Sequence, residues 1–161
     1  MWLMERVMRI LFAEDDDPKS QNIESFLVER DGDFSMLKVK SVRSAIDALR
    51  RTKPDLILLD MSLPTFDIGR SEPGGRPQSA GGISVLDHMQ HAEIVVPTII
   101  ITQHEAFDYE GSTISLSALL KTLSAKYSDC FAGLVRYNTI TGQWRSDLAN
   151  VLSSHIGGAR S

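Results

Sequence analysis

Leu56-Ile57-Leu58-Leu59-Asp60 is an unbroken apolar tetrad that runs straight into a carboxylate. Four apolar residues without alternation read as a strand buried on both faces, as in a parallel sheet covered by helices on either side. Just upstream, Lys53-Pro54 stops a helix with an apolar face of Val42, Ala45, Ile46 and Leu49, and Ser41 stands where it can cap that helix. Phe34 to Val39 is a second strand candidate. Nearer the N-terminus, the short apolar run Val7 to Ala13 ends in four consecutive acids, Glu14-Asp15-Asp16-Asp17, followed by Pro18. A short run that stops at a proline suits a strand, and proline suits the first turn of the helix that follows. Ile23, Phe26 and Leu27 give that helix a buried stripe, and Asp31-Gly32 ends it.

Downstream of the tetrad the character changes. Five glycines and two prolines fall between Gly69 and Gly82, so residues 65–82 read as a long loop. Helical spacing resumes at Ile83, Leu86 and Met89. A β-branched strand follows Pro97, from Thr98 to Thr102. A polar stretch then leads to a helix expected to carry Ile114, Leu116, Leu119, Leu120 and Leu123. Phe131 to Val135 is a fifth strand, and Trp144, Leu148, Val151 and Leu152 lie at the spacing of a last amphipathic helix. Five strand–helix units in alternation make an α/β fold, a doubly wound five-stranded parallel sheet. The chain is expected to be a single domain over 1–161 with a core of about 8–156.

Composition narrows the function classes. The chain has 161 residues, 17 Lys+Arg against 21 Asp+Glu and a net charge of −4. That balance disfavours wrapping a phosphate backbone, so no direct nucleic-acid contact is expected. No segment is apolar for long enough to insert in a membrane. A single cysteine forms no internal disulfide, and the expected location is cytoplasmic.

In an open parallel sheet the site lies beyond the carboxyl ends of the strands. Those ends carry Glu14, Asp15 and Asp16, then Asp60, then Thr102, then Arg136. Clustered carboxylates need a compensating cation, and hard oxygen ligands suit Mg²⁺. A metal, a carboxylate nucleophile and a basic side chain together suit phosphoryl transfer.

The segments Ile10-Leu11-Phe12-Ala13-Glu14-Asp15-Asp16, Pro54 to Pro64, Gly81-Gly82-Ile83-Ser84-Val85-Leu86 and Pro97 to Thr102 resemble the receiver domain of two-component response regulators. The resemblance implies a flavodoxin-like receiver fold, with Asp60 as phosphoacceptor for a histidine kinase or phosphotransfer protein. It implies Mg²⁺ held by Glu14, Asp15, Asp60 and the backbone carbonyl of Ser62, with Asp15 a direct ligand and Thr102 the switch hydroxyl. The chain would then be a stand-alone signalling module and no enzyme. Its output would pass through contacts with a downstream protein target, and its last helix could also serve a homodimer.

Four departures from the family pattern stand out. The lysine after the last strand is absent, with Arg136 in its place and Tyr137 where a proline is usual. The position after Thr102, normally small, is Gln103. The loop 65–82, carrying Arg70 and Arg76, is long enough for a lid or a docking segment. The stretch between Thr102 and Arg136 is long too, so the output face is expected to be remodelled. Gln103 and the missing lysine keep a second reading open, a pseudo-receiver adaptor that takes no phosphate. A Mg²⁺-dependent phosphatase ranks last, because Ser62 stands where such an enzyme needs a second acid.

Overall fold

The computed structural model describes residues 7–30, 32–67 and 80–155. In chain order its elements are β1 (Met8–Ala13), α1 (Asp17–Arg30), β2 (Phe34–Val39), α2 (Val42–Arg51), β3 (Leu56–Leu59), α3 (Gly81–His91), β4 (Thr98–Thr102), β5 (Ala106–Tyr109), β6 (Ser112–Ser115), α4 (Leu116–Lys126), β7 (Phe131–Arg136) and α5 (Gln143–His155). The main sheet has the strand order β2-β1-β3-β4-β7, with every neighbouring pair parallel. This is the doubly wound architecture that the apolar tetrad implies.

Strand alternation divides the core in two. Leu11, Ala13, Ile57, Leu59 and Ile100 point to one face, where Ala45 and Leu49 of α2, Val85 and Leu86 of α3 and Leu119 and Leu123 of α4 cover them. Ile10, Phe12, Leu56, Leu58, Ile99, Ile101 and Val135 point to the other, beneath Ile23 and Leu27 of α1 and Trp144, Leu148 and Leu152 of α5. All four residues of β3 are wholly buried. Burial on both faces is why the central strands carry no polar alternation. Ser41 caps α2 in a reciprocal box with Ser44: its hydroxyl accepts the Ser44 amide at 3.0 Å and the Ser44 hydroxyl accepts the Ser41 amide at 3.0 Å.

The structure departs from the sequence reading between β4 and α4. An antiparallel hairpin, β5–β6, fills this stretch, and Ile114 lies on β6 opposite Phe107 rather than on the helix. Its two-residue turn, Glu110-Gly111, has φ of 50° and 79°, as a tight hairpin turn requires. Helical periodicity therefore starts only at Leu116, where Ser115 caps α4 by accepting the Ala118 amide at 3.2 Å. Most of the loop 65–82, with Arg70 and Arg76, lies outside the described residues. Its far end joins α3 through Gly81 and Gly82. A Cβ on Gly82 would stand 2.8 Å from the Asp60 carbonyl oxygen and one on Gly81 would stand 2.0 Å from that of Leu63. Only glycine lets α3 start so close to the turn that carries Asp60. None of the described helices is long and apolar enough to cross a membrane.

Candidate functional site

The sheet ladder continues one residue past β1 and β3. The Glu14 amide donates to the Val39 carbonyl at 3.0 Å, and the Asp60 amide donates to the Ala13 carbonyl at 2.9 Å. These bonds fix Glu14 and Asp60 side by side at the carboxyl rim. Carboxylate oxygens of Glu14, Asp15 and Asp60 all lie within 4.8 Å of one another. Glu14 and Asp60 are buried, at 3% and 2% exposure, whereas Asp15 is open to solvent. Asp16 does a different job: its carboxylate accepts the Lys19 amide at 3.1 Å and so caps α1, while its own amide donates to Glu14 Oε2 at 3.1 Å.

The cation beside these acids comes from α1. Lys19 is 2% exposed, and its ammonium lies 2.5 Å from Glu14 Oε1 and 3.4 Å from Asp60 Oδ1. It also donates to the Ile101 carbonyl at 3.0 Å and to Gln103 Oε1 at 2.8 Å. The Tyr137 ring lies 5.7 Å from the ammonium, and Asn22 of α1 donates to the Tyr137 hydroxyl at 2.9 Å.

Sequence reasoning had placed Arg136 as the basic group of the site. The structure instead pairs its guanidinium with Glu105 at the exposed rim. The backbone of β7 puts Arg136 opposite Thr102, and Glu105, three residues past β4, draws its side chain outward. Thr102 is wholly buried, and its hydroxyl accepts the His104 amide at 3.2 Å. Ser62 turns its amide towards Asp60 Oδ1 at 3.4 Å and its hydroxyl towards both Asp60 oxygens at 3.4 Å.

Burial and the neighbouring Asp60 charge push the Glu14 carboxyl up to about 8, with Lys19 pulling the other way. Burial and Asp60 also raise Asp15. Were all three carboxylates ionised, the one ammonium would leave two negative charges uncompensated. The donor set is all hard oxygen, one member faces solvent, and Glu14 Oε1 is buried with no hydrogen bond beyond its ion contact to Lys19. Those features fit a small divalent cation that keeps several waters, as Mg²⁺ does.

Lys19 is the residue that sequence reasoning passed over. The signal was helical phase: counting back four from Ile23 and eight from Leu27 lands on Lys19, so the buried stripe of α1 ends in an ammonium at the acidic rim.

The family model for the response regulator receiver domain matches residues 10–120. The Detocs response regulatory protein DtcB of Enterobacter cloacae is 32% identical over 145 residues, spanning 88% of this chain and 95% of that protein. Among solved structures, a phosphorylated cyanobacterial phytochrome response regulator superposes with a TM-score of 0.65 at 16% identity, over 94% of this chain and 95% of that one. A sensor histidine kinase's receiver domain from Pseudomonas aeruginosa, solved with a magnesium ion coordinated in its active-site cleft, superposes with a TM-score of 0.59 at 19% identity, over 94% of this chain and 99% of that one. Sheet order, carboxylate rim and family match agree, and the chain belongs to the response regulator receiver domain family.

Proposed function

We propose that this receiver domain takes a phosphoryl group onto Asp60 from a histidine kinase or phosphotransfer protein and passes the signal on by protein contact. The observation that carries the reading is the placement of Asp60: a buried carboxylate with two other carboxylates within 4.8 Å and an ammonium 3.4 Å from Oδ1. Glu14, Asp15, Asp60 and the backbone carbonyl of Ser62 would hold Mg²⁺. When bound, the cation screens the mutual repulsion of the carboxylates and of the incoming phosphate oxygens.

The chain's own part is positioning and charge neutralisation. An Asp60 carboxylate oxygen forms a bond to phosphorus as the phosphorus–nitrogen bond of the donor histidine breaks. The electron pair of that bond stays on the imidazole nitrogen, whose protonation completes the exchange. Ser62 holds the Asp60 carboxylate in place. The Thr102 hydroxyl is free to exchange its His104 contact for a phosphoryl oxygen.

That exchange gives an output route. The His104 ring meets Phe107 edge-on at 6.3 Å, and Phe107 is buried at the base of the β5–β6 hairpin. The Leu116 amide at the head of α4 donates to the Glu105 carbonyl at 3.0 Å. A phosphate at Asp60 that draws on Thr102 therefore pulls on the segment that carries both the hairpin and the start of α4.

The test is direct. Incubated with Mg²⁺ and phosphoramidate, the protein should gain one phosphoryl group by mass, stable in acid and released by hydroxylamine. Asp60→Asn should gain none. Absence of the adduct in a protein shown to bind Mg²⁺ would leave the pseudo-receiver adaptor as the function.

A further inference from the structure

The geometry points to Lys19 as the group that neutralises the phosphoryl oxygens at Asp60, an assignment that rests on the phosphoacceptor reading above. Two of the chain's departures from its family pattern, Gln103 and Tyr137, meet at this one ammonium. The last strand lacks a lysine, and its Arg136 is engaged by Glu105. Gln103, bulky where a small residue is usual, accepts the Lys19 ammonium at 2.8 Å. Tyr137, where a proline is usual, places its ring 5.7 Å from the same ammonium and is itself fixed by Asn22. The Ile101 carbonyl, in the strand that ends at Thr102, supplies a further anchor at 3.0 Å.

The ammonium thus sits between the ends of β1 and β3 and strand β4, at 3.4 Å from Oδ1 of the carboxylate that attacks phosphorus. Its partners are two carboxylates, one carbonyl and one amide oxygen, so it is a buried donor held in a fixed orientation. Such a donor, fixed before charge arrives, is the arrangement that stabilises negative charge most effectively. Arg136, half-exposed and paired with a solvent-facing glutamate, has neither the orientation nor the dryness.

The test compares initial rates of Asp60 adduct formation from phosphoramidate with Mg²⁺ binding by calorimetry. Lys19→Met should lose at least about 10-fold in rate. It should bind Mg²⁺ at least as tightly as the wild type, because a positive charge has left the carboxylates. Arg136→Met should cost far less. Lys19→Met exposes Glu14 to an unpaired burial, so a second pair guards against misfolding: Glu14→Gln alone, and Glu14→Gln with Lys19→Met, in which charge is removed in balance. The double variant should again be at least about 10-fold slower than Glu14→Gln. Equal rates with and without Lys19 in both pairs, or a larger loss on Arg136→Met than on Lys19→Met, overturn the assignment. A wild-type protein that binds Mg²⁺ and forms no adduct overturns the phosphoacceptor reading itself, and is told apart because no variant is then needed to see it.

Discussion

The two halves of the carboxyl rim obey different rules. On the β1–β3 half, each site residue stands where its own strand ends, and the ladder bonds from Glu14 to Val39 and from Asp60 to Ala13 fix it there. On the β4–β7 half, the strand ends supply a hydroxyl and a guanidinium, yet the guanidinium turns outward and α1, the helix that follows β1, supplies the cation. The first half is specified by backbone position. The second is specified by where a charge comes to rest, which several sequence positions can satisfy.

Stability should show this contrast most strongly. Leu58 is wholly buried in β3, whereas Ile114 on the β5–β6 hairpin is only partly so. Leu58→Ala should cost about 2–5 kcal/mol of unfolding free energy, enough to threaten a domain of this size. Ile114→Ala should cost about 1 kcal/mol or less. Urea unfolding followed by circular dichroism measures both. Equal losses would mean that the hairpin is as much a part of the core as the central strand.

A smaller effect should follow pH. The Glu14 carboxyl is raised in the folded protein to about 8 from an ordinary 4.5, with burial the chief cause. A group with a raised folded pKa binds its proton more tightly when folded than when unfolded. Without a divalent cation, stability should therefore fall as pH climbs from about 4.5 to about 8. Mg²⁺ favours the ionised carboxylates and should flatten or reverse that slope. Thermal melts across this range, with chelator and with Mg²⁺, would decide it, and identical slopes would argue against a cation site among these acids.

Much of this was legible in the sequence, for a physical reason. Leu56 to Leu59 and Thr98 to Thr102 must be buried on both faces, and burial writes itself as unbroken apolar runs. Asp60 is fixed by the end of the first of those runs, and Glu14 and Asp15 by the end of the apolar run Ile10 to Ala13. The hairpin was not legible. Its strands are four residues each, its turn is Glu110-Gly111 rather than Asn-Gly, and Leu116 to Leu123 beside it carry a helical period that swallowed Ile114. Lys19 escaped because a lysine in the first turn of a helix is ordinarily solvated, and only the phase of Ile23 and Leu27 shows that this one faces inward.

The finest distinction concerns Gln103, where two physical effects oppose each other. If its side chain mainly narrows the approach to Asp60, Gln103→Ala opens the site and speeds phosphorylation. If it mainly holds the Lys19 ammonium, the same change slows it. The 2.8 Å contact with Lys19 favours holding, since the ammonium keeps its other anchors at Ile101, Glu14 and Asp60 but loses its one side-chain amide partner, just past the end of β4. One hydrogen bond to a charged group among several is worth about 1 kcal/mol once the others relax, so Gln103→Ala should slow adduct formation by roughly threefold to tenfold. Gln103→Glu sharpens the comparison. Its carboxylate keeps the ammonium in place, but adds a negative charge where phosphate must arrive, so it should slow the reaction more than alanine while leaving the Lys19 contact and the fold intact. A faster Gln103→Ala protein would return Gln103 to the role of a cover and leave Lys19 held by its remaining partners alone.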